Sequence, residues 1–417
     1  MHVTLDNAFA FSILVLILIT IMGYIIPSAY VSFTTIREHQ LDEIAQSIAD
    51  KILLSPGYPE DWGNIMKVEH DNDLLSFGLQ KAGGDLYELD VDKVLRIVNV
   101  GDYQLPSTIK INYSRIAELL GLGNEYGFSI RVRPALNVSI FPSGMYEFNK
   151  GGSKKQDVVS SVDVMVRTLE GRPAIGANVT GLYVFMHVRN KGNKENKDYV
   201  YMNHTYMTSV TGPDGKATID FQEYIKDLEN KIREEEDLEL GQFKKAIPAL
   251  IVFAEYYGIR AVNSTVIGSS EDAPLKGVIV NNYVIVDYNI DEFYEGPHGA
   301  AHVKNATGLV NPPYYVYVGA LSNDTNGQSG LVINTGAKKH RVYKISVEID
   351  DETTFIILPV KKEGKEKMIA VFRPPSDSSC QLGWAYGNIK TSIVRRMVKM
   401  GSFHYIVEIR VWRWGER

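Results

Sequence analysis

The sequence predicts a mainly β protein with one long N-terminal helix. Two patterns support this: a charge-free aliphatic run near the N-terminus, and many short alternating segments separated by Gly, Pro, Asn and Asp turns. At 417 residues the chain is too long for one ordinary core. We expect a transmembrane helix with an amphipathic extension over 1–56, a small α+β domain over 57–148, a β-sandwich over 157–268 and a C-terminal β domain over 275–417.

The composition is that of folded protein, with 45% hydrophobic and 23% charged residues. The net charge of −6 gives no basic footprint, so we expect no nucleic acid partner. The single cysteine, Cys380, excludes an intramolecular disulfide and therefore says nothing about the compartment.

The aliphatic run contains no charged residue between Asp6 and Arg37, a stretch of thirty positions. A bilayer core needs about 20 apolar residues in helical form, and Phe11–Ile26 lies at the centre of this run. A cleaved secretory signal would begin with basic residues and have a shorter core. The pattern therefore predicts a retained helix that contacts membrane lipid.

The helical pattern continues beyond the aliphatic run. Apolar residues recur there at three- and four-residue steps, which places one face of the helix against a core: Leu41, Ile44, Ala45, Ile48 and Ile52. The segment Leu53-Leu-Ser-Pro-Gly57 is expected to end the helix.

Glycosylation sequons indicate where the bulk of the chain lies. With 24 Asn and 44 Ser or Thr, chance predicts about 2.5 Asn-X-Ser/Thr sites. The chain has seven, all after the aliphatic run: Asn112, Asn137, Asn178, Asn203, Asn263, Asn305 and Asn323. We therefore expect a cell-membrane or cell-surface protein with one N-terminal helix, an extracellular C-terminal bulk and N-glycans.

The α+β region is predicted from two capped helices and a strand. The helices cover Asp90–Ile97 and Ser114–Leu120, the second closed by Gly121. Phe128–Arg133 alternates as a strand with one buried face. The Gly, Ser and Lys residues over 149–156 are expected to form a linker.

The next region resembles immunoglobulin-like surface domains of the invasin and carboxypeptidase-regulatory types. The resemblance rests on valine alternation at 162–166, on Gly171-Arg-Pro-Ala-Ile-Gly-Ala-Asn-Val179 and on the Asp-Gly turn before the strand ending in Phe221. It implies an Ig-like sandwich, and such turn motifs specify a fold better than a ligand. A charged segment, Glu223–Glu236, departs from the pattern and is either a solvated helix on the sandwich edge or a partner-binding arm.

The chain ends in the strongly β segment Phe403–Trp414. Its alternation puts five residues on one face: Phe403, Tyr405, Val407, Ile409 and Val411. Such a strand pairs within its own sheet or, in a filament protein, with a neighbouring subunit.

No catalytic constellation is visible, so we expect no enzyme, no metal and no cofactor. There is no Gly-x-Ser-x-Gly elbow and no phosphate-binding Gly-rich loop. His298 and His302 lie in a turn-forming segment, and Asp287–Asp291 lacks the Gly and Glu that a calcium loop needs at its sixth and twelfth positions. A looser calcium site at Asp287–Asp291 stays open, and His70–Asp73 fits a helix-capping turn.

The two ends together resemble archaeal pilin-like envelope proteins. The segments that carry the resemblance are the charge-free helix, Leu53–Trp62, Tyr87–Val94 and the closing Val411-x-x-Trp414. It implies an archaeal source, display at the cell surface and assembly with itself or with other envelope proteins. Prepilins carry a basic residue and Gly before the helix, and Met1–Asn7 does not, so N-terminal processing stays open. The predicted function is a structural or adhesive component; the alternative is a membrane-anchored binding module for a solute, glycan or protein.

Overall fold

The fold is mainly β, with five helices and twenty strands among the residues that the computed structural model describes. The described residues are 2–65, 67–98, 109–123, 125–149, 155–190, 198–237, 242–266, 275–281, 283–286, 292–293, 309–310, 315–318, 331–335, 338–344, 353–373, 378–382 and 390–414.

The helices have the following bounds: α1 His2–Thr20, α2 Ile26–Leu54, α3 Val91–Ile97, α4 Tyr113–Leu120 and α5 Gln222–Asp237. The first ten strands are β1 Tyr126–Pro134, β2 Leu136–Asn149, β3 Lys155–Thr168, β4 Asn178–Asn190, β5 Asp198–Val210, β6 Lys216–Asp220, β7 Gln242–Tyr256, β8 Ile259–Val266, β9 Leu275–Val280 and β10 Tyr283–Val286. The other ten are β11 Glu292–Phe293, β12 Leu309–Val310, β13 Tyr315–Val318, β14 Leu331–Thr335, β15 Lys338–Lys344, β16 Thr353–Lys362, β17 Lys365–Phe372, β18 Ser378–Leu382, β19 Thr391–Met400 and β20 Phe403–Arg413.

Helices α1 and α2 follow each other directly, joined by the π-helical turn Ile21–Ile25. Pro27 lies just beyond this turn and has no N–H to donate to the carbonyl of Gly23, which accounts for the local change in helix winding. The chain leaves the helix after Leu54, as predicted.

Helix α2 packs on a four-stranded antiparallel sheet, the base sheet, with strand order β18-β1-β20-β19. All five alternating residues of the terminal strand are buried, from Phe403 to Val411, so the one-face prediction is confirmed. They face the predicted helix stripe, of which Ala45, Ile48 and Ile52 are buried. The terminal strand pairs inside its own sheet, with Val407 opposite Val132 of β1.

The base sheet joins residues that the sequence had placed in separate domains. Strand β1 was expected in the small α+β domain, whereas β18, β19 and β20 were expected in the C-terminal β domain. Both predicted helices of this region are confirmed: Asp90 caps α3, and Gly121 ends α4 with a φ of 76°. The base is therefore built from the two ends of the chain, because an antiparallel ladder can join segments of any sequence separation.

The sandwich consists of two antiparallel sheets, β2-β3-β6 and β5-β4-β7-β8, which enclose a common apolar core. Strand β2 lies in this sandwich, although the sequence had assigned its residues to the preceding domain. Asn149 pairs with Lys155, so the described residues of the predicted linker, 149, 155 and 156, belong to paired strands, and 150–154 lie outside the described residues. The strands of these two sheets lie between Leu136 and Val266, so the sheets begin before the predicted boundary at residue 157.

The fourth sheet, which we call the nine-stranded sheet, has the path β12-β13-β16-β17-β9-β10-β15-β14, with β11 paired to β16. It packs on the outer face of the sandwich sheet that contains β4, where Val278 and Ile285 join a cluster with Val184 and Met186. Alternate residues of β4 thus enter two different cores, since Tyr183 points into the sandwich. A strand buried on both faces needs a continuous apolar run, as Leu182–Met186 provides.

The sandwich lies beyond the end of the base sheet that is remote from α1. Asp42 accepts a hydrogen bond from Ser392 Oγ at 2.6 Å, and Gln46 accepts one from Arg396 at 2.8 Å, so α2 and β19 run in the same direction away from α1. The sandwich joins at His404, whose Nδ1 accepts from the backbone N of Arg260 at 3.2 Å. The base thus contacts the sandwich at the end of α2 that is remote from α1.

Candidate functional site

The N-terminal helix projects from the folded body with large apolar side chains exposed. We call residues 9–26 the apolar segment; Phe9 is 70% exposed, Leu16 68% and Met22 68%. The exposed positions lie on all sides of the helix: Phe9, Phe11, Ile13, Leu14, Leu16, Ile17, Leu18, Ile19, Met22, Tyr24 and Ile26. A helix that is apolar all round is normally covered by lipid or by other protein.

Taken one at a time, no helix in the described part of the chain combines the length and the apolar character of a membrane span. The predicted membrane crossing stays a prediction.

Five of the seven predicted glycosylation sites lie among the described residues. Asn112, Asn137, Asn178 and Asn263 are exposed and Asn203 is half-buried, whereas Asn305 and Asn323 lie outside the described residues. Four of the five are on strands of the sandwich, and Asn112 is the N-cap of α4. The structure thus places these sequons at or near the surface.

The side-chain amides of two sequons make hydrogen bonds. Asn263 Nδ2 donates to the carbonyl of Val138 at 2.6 Å, and Asn203 Nδ2 lies 3.4 Å from His187 Nδ1. Asn112 instead uses its Oδ1, which accepts from the backbone N of Ser114 at 2.9 Å. The atom that carries an N-glycan is therefore engaged at Asn203 and Asn263, and Asn112 caps its helix through the other amide atom.

The outer face of the base sheet carries a cluster of arginines that the sequence had not singled out. In register, Glu408 of β20 lies between Arg131 of β1 and Arg395 of β19. Arg395 donates to one oxygen of Glu408 at 2.7 Å, Arg410 donates to the other at 2.6 Å, and Arg133 lies 3.6 Å away. We call the surface formed by Arg131, Arg133, Arg395 and Arg410, with the exposed Ile393 and Met397, the arginine face.

Glu408 is almost fully buried beneath these arginines. Burial alone would raise the pKa of its carboxyl, but the hydrogen bonds and charges of Arg395 and Arg410 outweigh it and hold the pKa below its ordinary value. A lowered folded-state pKa stabilises the fold above the unfolded-state pKa, and that contribution disappears as the pH falls through the folded-state value.

We therefore expect wild type to be more stable than Glu408→Gln at pH 7 and the difference to shrink steadily below about pH 4.5. Denaturant unfolding of both full-length chains from pH 7 to pH 3 measures this difference. A difference that stays constant across the range, or grows in acid, would contradict the assignment.

The candidate metal ligands do not form a site among the described residues. There, no group of three His, Cys, Asp or Glu side chains is placed to hold an ion. The loop Asp287–Asp291 and the histidines His298 and His302 lie outside the described residues. His70–Asp73 is the predicted capping turn, because Asp73 accepts from the backbone N of His70 at 2.9 Å.

Buried charges, which the sequence analysis did not single out, organise the loops around α3. Lys93 Nζ donates to the carbonyls of Pro56 and Gln80, each at 2.9 Å, and burial lowers its pKa. Arg96 donates to the carbonyls of Val68 at 2.7 Å and Ile109 at 2.9 Å. These cations donate to backbone carbonyl oxygens and do not line a ligand-binding cleft, so their role is structural.

No known protein family matches the chain, and no curated protein matches it either.

Proposed function

We propose that this chain is a structural or adhesive component of the cell surface, held by its N-terminal helix and able to assemble through it. The observation that carries the proposal is the contrast along one helix. The apolar segment is exposed on all sides, whereas Ala45, Ala49 and Ile52 of α2 are buried in the base. The apolar segment needs a lipid or protein environment that the described part of the chain does not provide.

We call the folded part of the chain after the apolar segment the head. Its arrangement supports display at the cell surface. The sandwich and the nine-stranded sheet both contact the base, at His404 and at Asp92, and the exposed sequons lie on the sandwich and at the start of α4. This is the layout expected of a pilin-like envelope protein whose helix serves as anchor and as a packing surface for other copies. A glycosylated extracellular head is part of the same proposal.

The alternative, a membrane-anchored binding module, relied on a cleft lined by Tyr and Trp. Among the described residues, Trp62 and Tyr405 lie in the core of the base and Tyr183 in that of the sandwich, whereas Trp414, Tyr206 and Tyr257 are exposed. The binding module therefore stays the second candidate, and the exposed apolar segment favours the structural role.

A charge in the apolar segment tests the proposal. One charged residue at the centre of a membrane helix costs about 2.5–3.5 kcal/mol, which corresponds to roughly a hundredfold change in partition. We expect Leu16→Glu to move full-length protein from the membrane and sheared-appendage fractions into the soluble fraction, while Leu16→Ala stays in place.

The distribution of both variants and of wild type is measured by fractionation and mass spectrometry. Wild type in a sheared filament fraction would support assembly, and wild type in the membrane fraction as a single subunit would support the binding module instead. If Leu16→Glu distributes like wild type, the apolar segment is not the anchor.

A further inference from the structure

We infer that Asn178 carries an N-glycan whose first sugars cover an exposed apolar patch at one end of the sandwich. The patch consists of Ile175, Val210 and Tyr257, and we call it the Asn178 patch. The inference rests on the proposed function, because it requires a glycosylated extracellular head. It adds which sequon is used and what the attached sugars contact.

The side chain of Asn178 is placed to accept a glycan. Asn178 is the first residue of β4 and is exposed, and because the next residue, Val179, points into the sandwich core, Asn178 points out of the sheet. Its amide makes no hydrogen bond to a described residue, whereas Nδ2 is engaged at Asn203 and Asn263 of the same sheet. Of these three sequons, Asn178 therefore presents the most accessible amide nitrogen.

Three exposed apolar side chains surround Asn178. Val210 of β5 is directly opposite it in the ladder, which puts both side chains on one face about 5 Å apart, and Val210 is 59% exposed. Ile175 is 54% exposed and precedes Asn178 by three residues, so the two lie at most about 11 Å apart. On its other side Asn178 is opposite Glu255 of β7, and Tyr257 follows two residues later. The patch is thus centred on the sequon.

Tyr257 is held out from the fold in an unusual backbone conformation. It has a φ of 50° and is 89% exposed, in the turn between β7 and β8. Asn or Gly is the ordinary residue at such a position, and a bulky side chain there often marks a binding site. The Tyr257 ring meets that of Tyr256 edge-on at 4.5 Å between centroids, and Tyr256 packs against the sandwich core. The contact with Tyr256 positions the ring while most of its surface stays open.

The chemistry of the Asn178 patch fits an attached sugar. A pyranose ring has a face of C–H groups that covers aliphatic side chains or lies on an aromatic ring, while its hydroxyls stay in water. Polar groups adjoin the patch, since Glu255 pairs with Arg260 at 2.8 Å. Three side chains are too few for a stable protein interface, which buries about 800 Å² per partner. A glycan linked at the centre of the patch needs no separate association step, because it is held there at high effective concentration.

Mass spectrometry of full-length protein from source cells measures the occupancy of each sequon. We expect most molecules to carry a glycan on Asn178, and only a minor fraction to carry one on Asn203 or Asn263. Two variants extend the measurement without changing Asn178: Thr180→Ala removes the sequon, and Thr180→Ser keeps it as the matched control. An occupancy of Asn178 no higher than that of the other two would overturn the inference.

Hydroxyl-radical labelling of Tyr257 tests the contact itself. A sugar on the ring covers one of its two faces, so labelling should rise roughly twofold in Thr180→Ala and stay at the wild-type level in Thr180→Ser. Tyr58, 60% exposed in the loop after α2, and the buried Tyr405 should be labelled alike in all three proteins, which shows that the head is folded. Equal labelling of Tyr257 in wild type and Thr180→Ala would overturn the inference even where Asn178 is occupied.

The possible outcomes separate this inference from the proposed function. Glycans on other sequons but none on Asn178 would overturn the inference and leave the glycosylated head standing. No glycan on any of the seven sequons would overturn both, while the fractionation of Leu16→Glu still tests the anchor. Protection of Tyr257 that depends on protein concentration and survives in Thr180→Ala would show that a second copy covers the patch, and would overturn the inference.

Discussion

Asp92→Ala is expected to reduce the stability of the full-length chain by about 3–5 kcal/mol, because it removes one partner of a buried ion pair. Asp92 on α3 is 5% exposed and accepts from Arg373 Nη2 at 2.9 Å. It also accepts from the backbone N and the Nδ2 of Asn281, at 3.0 and 2.9 Å. The Asp92 carboxylate therefore connects the base to Asn281, in the turn between β9 and β10, and to Arg373, the residue after β17.

Denaturant unfolding and hydrogen exchange measure this effect together. Exchange in β9 and β10 should rise in Asp92→Ala before exchange in β19 and β20 does, because the carboxylate connects the nine-stranded sheet to the base. Asn281→Gly is the matched control, since glycine tolerates the φ of 52° at this position and the backbone bond and Arg373 remain. It removes only the side-chain bonds to Asp92 and from the backbone N of Ile65 and should cost about 2 kcal/mol. A loss below about 1 kcal/mol for Asp92→Ala would show that this contact does not hold the sheet.

Arg96→Met is expected to reduce stability by about 3 kcal/mol or more, because three buried carbonyls lose their donor and each costs about 1–3 kcal/mol. The acceptors are the carbonyls of Trp62, Val68 and Ile109. Burial lowers the pKa of Arg96 to about 10, so the guanidinium is still charged at neutral pH. Methionine keeps the apolar stem and removes the charge and all donors.

Tryptophan fluorescence during denaturant unfolding measures this loss, since Trp62 is buried beside Arg96. Arg96→Lys keeps one cationic donor and should lie between wild type and Arg96→Met. Arg413→Met removes a half-buried arginine whose side chain lies 3.8 Å from that of Glu125, and it should change stability by no more than about 0.5 kcal/mol. Equal effects of Arg96→Met and Arg413→Met would contradict the role assigned to Arg96.

Local signals predicted individual elements well. Asp90 and Gly121 were recognised from residue type alone and lie at a helix start and a helix end, as expected. The alternation from Phe403 to Val411 predicted the buried face of β20, because successive strand residues point to opposite sides. The charged segment after Phe221 was predicted as a helix and is α5.

Domain membership was not predicted. Alternation identifies the face of a strand but not its neighbour, so nothing in Phe128–Arg133 pointed to a partner near residue 407. For the same reason Leu136–Asn149 was assigned to the α+β region, whereas its partner is β3. The C-terminal β region was expected to be one unit, yet β18, β19 and β20 complete the base.

Of the two candidate surfaces, the sequence predicted one and not the other. The apolar segment could be read directly, because thirty charge-free positions need no tertiary information. The arginine face could not, since Arg131 and Arg133 stand far along the chain from Arg395 and Arg410, and isolated arginines on strands are ordinary surface residues. Only strand pairing places them around Glu408.

By itself, the sequence determined that the protein is mainly β, where helices α3, α4 and α5 lie and which residues of α2 face a core. The tertiary structure alone decided which strands pair, that the two chain ends form one base, and that buried Asp92, Arg96 and Glu408 hold the parts together. The physical reason is range: caps and periodicity act over a few residues, whereas strand pairing and buried charge pairs join residues hundreds of positions apart.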